Sequence, residues 1–234
     1  MDHADVVIVG TGHGGAQAGI ALRQQGFEGS IMMVGRDTAP PYERPPLSKA
    51  VLTGTRQVED GLLAPDEAYA EKDISLRSGC SAVALDADGR RVALDDGSSL
   101  AFDKLILATG ARPRRLAHPG SGLQGVHLMR DAADAASIRE GIAAGGPVVI
   151  IGGGFIGLEV AASAREMGAE VSVLEAQPRL LARSLPAPAA AAVTRLHESR
   201  GVDIRTGVQL EGFSGNGRVS AVHLADGSEL PAAL

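Results

Sequence analysis

Two glycine-rich stretches carry the residue types and spacing best suited to chemistry. In "VVIVGTGHGG", Gly10, Gly12 and Gly15 make a Gly-x-Gly-x-x-Gly pattern, and in "VVIIGGGFIG", Gly152, Gly154 and Gly157 make a second. Each pattern follows an apolar run and opens an alanine-rich segment of helical character that ends at Gly26 or Gly168. In such a setting the first glycine permits a tight turn, the second lets a pyrophosphate approach the backbone, and the third lets helix close on strand. The helix N-terminus then attracts the anion. A unit of this kind should finish in a second strand bearing an acid for the adenosine ribose, about twenty residues on. Glu175, closing "AEVSVLE", lies 18 residues past Gly157 (175 − 157). A carboxylate there accepts from the 2′-hydroxyl and repels a 2′-phosphate, which predicts NAD(H) over NADP(H). The first unit is less regular: Arg36 directly follows Val34-Gly35, and Asp37 is the nearest acid.

A third candidate is Lys49, one of three lysines, at the end of "PPYERPPLSK". Pro45-Pro46 is stiff and extended, and Pro46 suits the first position of a helix, so a helix is predicted to open near Leu47. Lys49 then falls in the first turn, where the helix dipole disfavours a cation. Locally it reads either as a surface lysine with its head in water or as an ammonium held there for a site.

The elements that must position these residues repeat within the chain. After the first unit comes "RRVALDDGSSLAFDKLILATG", two short strands about a turn and then an apolar strand, Leu105 to Ala108, closing on Thr109-Gly110. After the second comes "GRVSAVHLADGSELPAAL", in which Asp226-Gly227 echoes Asp96-Gly97 and Leu230 echoes Leu100. The turns are offset by 130 residues (226 − 96) and the glycine motifs by 142 (152 − 10), so the first copy holds 12 extra residues, enough for most of the "PPYERPPLSK" stretch. Repetition on this scale predicts two related α/β units, each a Rossmann-like three-layer dinucleotide-binding domain with a parallel sheet and an antiparallel β-meander.

Composition narrows the function classes. At 234 residues, 44% hydrophobic and 21% charged, the chain reads as soluble and globular, with room for one large or two small domains. A net charge of -6 without runs of like charge, and six aromatics with no tryptophan, offer little to nucleic acid. The opening "MDHAD" lacks the positive segment of a signal peptide, and no apolar run is long enough to span a bilayer, so a cytoplasmic location is expected. Cys80 is the sole cysteine, which excludes an internal disulfide and a catalytic dithiol within one chain. No metal-ligand cluster is predicted.

Two dinucleotide turns have an obvious joint use if one holds a flavin and the other a nicotinamide, because FAD and NAD(H) make a working redox pair. Here the sequence resembles the FAD-dependent pyridine-nucleotide oxidoreductases, and within them the NADH:ferredoxin reductases of bacterial oxygenase systems, of the putidaredoxin reductase type. The likeness rests on "VVIVGTGHGG", "PYERPPLSK", "LILATGARPR" and "VVIIGGGFIGLEVA" and runs from Val6 to the C-terminus. It implies electron flow from NADH through FAD to a [2Fe-2S] ferredoxin, or to a rubredoxin-like acceptor. Other acceptors occur on the same fold, including those of nitrite-reductase flavin subunits and NADH oxidases, and a non-catalytic nucleotide-binding fragment is the alternative of a different class.

The resemblance also implies roles residue by residue. Gly10, Gly12, Gly14 and Gly15 would line the FAD pyrophosphate and Val83 would touch the adenine side, while at the FAD ribose either Asp37 takes over or adenosine affinity is reduced. Arg44, Lys49, Thr109, Gly110 and Arg130 would complete the flavin surroundings. Gly152, Gly154, Phe155, Ile156 and Gly157 would hold the NADH pyrophosphate, with Glu175 and Arg183 at its adenosine. Lys49 would stand beside the flavin as a buried cation paired with Glu159, the two being contributed by opposite domains, so that the ammonium stabilises charge developing as hydride arrives.

Two departures from the family pattern stand out. Arg36 occupies the place of an acid, and Leu234 falls where Lys104 stands in the first copy. The expected organisation is therefore an incomplete FAD-binding domain over 1–112, an NAD-binding domain over 113–234 without its last strand, and no C-terminal interface domain.

Overall fold

The computed structural model describes residues 3–234. These divide into two compact units: residues up to Glu43 together with Val58–Arg112, and Arg44–Gln57 together with Pro113–Leu234.

The first unit opens with β1 (His3–Val9), α1 (His13–Gln24) and β2 (Ile31–Gly35). The segment that follows carries α2 (Ala50–Thr53), which belongs to the second unit, and α3 (Asp66–Ala70). Strands β3 (Ile74–Ser78), β4 (Ala82–Asp86), β5 (Arg91–Leu94) and β6 (Ser99–Leu107) complete it. The strands form one sheet in the order β3-β2-β1-β6-β5-β4. β1 pairs in parallel with β2 on one side and β6 on the other, and a parallel strand covered on both faces reads as a continuous apolar run. Alternation divides that run: Val6 and Ile8 pack with Ala16 of α1, Ile31, Met33 and Ile74, while Val7 and Val9 pack with Val92, Leu94 and Leu100 of the meander. The hairpin strand and the apolar strand read separately from the sequence are one strand, β6. Its first residues pair with β5 and the remainder with β1, so a single strand joins the meander to the parallel sheet.

The second unit contains α4 (Ala132–Ala143), β7 (Val148–Ile151), α5 (Phe155–Glu166), β8 (Val171–Glu175), α6 (Ala187–Ser199) and β9 (Val202–Thr206). Strands β10 (Leu210–Ser214), β11 (Ala221–Leu224) and β12 (Glu229–Pro231) follow. Here the parallel sheet β7-β8-β9 and the antiparallel sheet β10-β11-β12 are separate. The same alternation holds: Val148 joins the helical core with Leu158, Ala161, Val171 and Val173, and Val149 and Ile151 lie against Leu174, Phe213 and Val222 on the meander side. α4 begins with a capping box in which Asp131 and Asp134 each accept from the other's backbone N–H.

The internal repeat is exact enough to compare atom by atom at its turns. Asp96 accepts from the Ser98 amide at 3.0 Å and Asp226 from the Ser228 amide at 2.9 Å. Gly97 and Gly227 take φ of 82° and 84°, a left-handed conformation that explains glycine at both places.

Residues 44–57, expected with the first domain from chain order, pack in the second unit. Leu52 is fully buried in the core formed by α4 and α5, and burying a leucine stabilises by roughly 1.5–3 kcal/mol, which ties the segment there. The helix expected from Leu47 is also different. A 3-10 turn covers Pro45–Ser48, Lys49 leaves helical geometry at φ −122° and ψ −112°, and α2 starts only at Ala50. Proline supports the 3-10 turn's opening as expected, but Lys49 becomes a junction rather than a first-turn residue.

Candidate functional site

In the first unit, Gly10 has φ of 117° and its N–H donates to the Val34 carbonyl at 2.7 Å. A Cβ on Gly15 would stand 1.8 Å from the Gly10 carbonyl, so the third glycine exists for helix–strand contact. Gly12 and Gly14, by contrast, have nothing within 4 Å of such a Cβ. Their bareness has no internal packing reason and fits a ligand approaching the start of α1. Val83 and Leu107 are exposed apolar side chains, and Thr109 and Gly110 are exposed beyond β6. Asp37 is part-buried after β2, its carbonyl accepting from the Gly79 amide at 3.1 Å.

The second unit repeats the turn. Gly152 has φ of 112° and donates to the Leu174 carbonyl at 2.7 Å, and a Cβ on Gly157 would lie 2.2 Å from the Gly152 carbonyl. Gly154 faces open space and caps α5, whose first residues, Phe155 and Ile156, are 54% and 51% exposed. Two large apolar side chains bared at a helix N-terminus are suited to covering by a flat ligand.

These residues line a cavity of about 1150 Å³ that also takes in Glu175, Gln177 and Arg183. Both oxygens of Glu175 already accept from the backbone, Oε2 from Gly153 at 2.8 Å and Oε1 from Gln177 at 2.7 Å. A carboxylate oxygen has more than one acceptor position, so a ribose hydroxyl can still bond. Glu175 therefore also holds the glycine turn to β8, a structural duty that spacing alone did not reveal.

The sequence did not single out Arg114, Arg115 and His127, which line the same cavity. Partial burial lowers the His127 pKa, helped by Arg218 and opposed by Asp134, which favours the neutral imidazole. The adjacent arginines in "RPRR" were the available signal for the first two.

Lys49 and Glu159 meet. The Nζ of Lys49 lies 2.7 Å from Oε1 of Glu159 and also donates to the Pro45 carbonyl at 3.1 Å. Both residues belong to the second unit, not to opposite ones, because Lys49 travels with the segment anchored by Leu52. Nor is the cation buried: the two side chains are 49% and 31% exposed. An ion pair this open contributes only about 0–1 kcal/mol to stability, so folding gives little reason for it. Arg44 donates to the Arg130 carbonyl at 2.8 Å, which brings two more of the expected residues together in this unit. The residues expected around FAD thus divide, with Gly10, Gly12, Gly14, Gly15, Asp37, Val83, Thr109 and Gly110 in the first unit and Arg44, Lys49 and Arg130 in the second.

Burial raises the pKa of the Cys80 thiol, and its Sγ donates to Asp95 at 3.3 Å. That setting disfavours the thiolate. Among the described residues no helix is long and apolar enough to cross a membrane.

Residues 4–234 match the family model described as pyridine nucleotide-disulphide oxidoreductase. The chain is 43% identical over 227 residues to a probable ferredoxin reductase of Castellaniella defragrans, covering 97% of this chain and 56% of the relative. It is 43% identical over 237 residues to putidaredoxin reductase of Pseudomonas putida, covering 98% and 56%. The reductase in a covalent putidaredoxin reductase–putidaredoxin complex superposes with a TM-score of 0.93 at 41% identity, over 99% of this chain and 56% of that one. A ferredoxin reductase of Rhodopseudomonas palustris gives 0.94 at 36% identity, over 100% and 57%. The chain thus spans a little over half the length of the relatives it matches. With the family model spanning nearly every residue and both glycine turns in place, this chain belongs to the pyridine nucleotide-disulphide oxidoreductases.

Proposed function

We propose that this chain is the dinucleotide-binding part of an NADH-dependent flavoprotein reductase, whose first unit takes FAD, whose second takes NADH, and which delivers electrons to a [2Fe-2S] ferredoxin serving an oxygenase. The observation that carries the reading is the contact of Lys49 with Glu159, half-exposed and of little use to stability, in the unit that also holds the second glycine turn. FAD, when bound, accepts a hydride and returns its electrons one at a time. The chain's own residues supply orientation and charge. Gly12 and Gly154 leave room for phosphate at the two helix N-termini, and Phe155 and Ile156 offer an apolar bed beside the second. Glu175 selects against a 2′-phosphate. Lys49 presents an ammonium for developing negative charge, and Glu159 fixes where that ammonium stands.

A ferredoxin acceptor is favoured by the names of the relatives, including the p-cumate dioxygenase reductase component of Pseudomonas putida at 42% identity. Rubredoxin is the second reading, because a rubredoxin-NAD(+) reductase of the same species is 40% identical. The test is anaerobic addition of NADH to the FAD-loaded chain. Bleaching of the visible flavin band is expected, and a chain that binds both dinucleotides without bleaching sinks the proposal. Lys49→Ala should slow bleaching about tenfold or more while changing the NADH dissociation constant much less. Transfer from the reduced chain to ferredoxin or rubredoxin then separates the two acceptors.

A further inference from the structure

The Lys49–Glu159 pair is gripped from behind by two buried serines. Ser48 and Ser163 are only 5% and 4% exposed, and a buried hydroxyl costs stability unless it is hydrogen-bonded. Both are bonded, and both bonds lead to the pair. The Ser48 hydroxyl donates to Oε2 of Glu159 at 2.5 Å, leaving Oε1 to the Lys49 ammonium at 2.7 Å. The Ser163 hydroxyl donates to the backbone carbonyl of Ser48 at 2.7 Å. Glu159 and Ser163 are four residues apart on α5, hence on one face, so a single helix face holds residue 48 by its side chain and by its main chain.

We propose that Ser48 and Ser163 are positioning residues that lock the Glu159 carboxylate and thereby set the location of the Lys49 ammonium. The physical need is specific. Glu159 is 31% exposed and has free rotation about its terminal torsions, so without a donor on Oε2 its carboxylate can turn toward water. Lys49 would then keep only the Pro45 carbonyl, at 3.1 Å, and its half-exposed side chain would sample several positions. With Ser48 in place the carboxylate has one oxygen fixed and the other aimed. Ser163 acts one step further back by holding the turn that carries Ser48. The value of this arrangement for hydride transfer rests on the role proposed above for Lys49, but the locking itself does not.

The three lysines make a direct experiment practicable. In nitrogen-15 spectra of the side-chain ammonium groups, with Lys49 identified by its loss in Lys49→Arg, the wild-type chain should show a restricted Lys49 signal distinct from those of Lys72 and Lys104. Ser48→Ala should release it to resemble the other two, and Ser163→Ala should do so in part. An unchanged Lys49 signal in Ser48→Ala overturns the proposal. Leu52→Val, in the same segment, should lower the melting temperature yet leave the signal restricted. Equal release by Leu52→Val also overturns it, because the effect would then be general loosening. Should Ser48→Ala fail to fold, Ser48→Cys, nearly isosteric but a weaker donor, makes the same test. In the flavin assay Ser48→Ala should slow bleaching about tenfold with NADH affinity retained. The spectra need neither cofactor, so absence of bleaching in the wild type refutes the redox role while the ammonium signal still decides the lock.

Discussion

β1 and β7 lead into the two glycine turns with nearly the same sequence, "VVIVG" and "VVIIG", yet they live in different surroundings. Val6 to Val9 are all buried between β2 and β6, whereas in β7 only Val148 is buried and the next three residues are partly exposed. β7 has β8 on one side, and on the other the Val149 amide donates to the Leu234 carbonyl at 2.9 Å. Identical apolar patterning therefore reports what a strand is suited to and not how far its neighbours cover it. The glycines say the same: a Cβ on Gly10 would lie 2.1 Å from the Ala108 carbonyl just past β6, while one on Gly152 meets nothing within 4 Å.

This contrast can be broken most strongly at those two glycines. Gly10→Ala combines a positive φ with a backbone clash and should cost about 3 kcal/mol or more, whereas Gly152→Ala carries the backbone strain alone, about 1–3 kcal/mol. Denaturant unfolding of each variant reads the difference, and equal losses would show that β6 does not set the environment of the first turn. Hydrogen exchange sharpens the comparison next. The amides of Ile8 and Val9 should exchange at least about tenfold more slowly than those of Ile150 and Ile151, because local opening is easiest where pairing and apolar cover are thin. Comparable protection would mean that β7 is as securely held as β1.

At Gly154 the expected change in stability is small. Its extended backbone accepts any residue, and alanine, a poorer N-cap than glycine, costs roughly 0.5–1 kcal/mol. Gly154→Ala should melt only about 2–4 °C below the wild type but bind NADH about tenfold more weakly, since the added methyl occupies the phosphate's approach. Calorimetric titration checks it, and unweakened binding would place the pyrophosphate elsewhere.

The smallest effect concerns the two matching turns. Hydrogen bonds from Ser98, and then Arg77, pull the Asp96 pKa down to about 2, whereas Asp226 is lowered chiefly by hydrogen bonds from Ser228, with the charge of Arg205 the smallest influence. A depressed carboxylate pKa means that the contribution of Asp96 to stability is present above the unfolded value of roughly 4 and is lost as pH falls toward about 2. Arg77→Gln should raise the Asp96 midpoint in a carbon-13 titration and leave Asp226 unmoved. A shift in both, or in neither, would remove Arg77 from that turn.

Both glycine turns, the paired Asp-Gly corners and the meeting of Lys49 with Glu159 were legible before any coordinates, the last only through family resemblance. Turns are legible because positive φ and close approach admit few residue types, so the chemistry of a local backbone is written in the residues themselves. The segment from Arg44 to Gln57 was misplaced because nothing local distinguishes which core Leu52 enters. Ser48 and Ser163 escaped notice for a related reason: a serine near a helix is common, and only burial turns its hydroxyl into an obligatory bond.

By itself, then, the sequence determined the two strand–turn–helix units, their repeat and the acid after the second, all of which follow from backbone sterics and periodicity over a few neighbouring residues. Long-range packing placed Lys49 and its proline turn in the second unit, left the ammonium half-exposed, and let one face of α5 grip Ser48 twice. Those outcomes depend on which apolar surfaces find each other across more than a hundred residues, and hydrophobic burial is non-directional, so no short stretch of sequence encodes the choice.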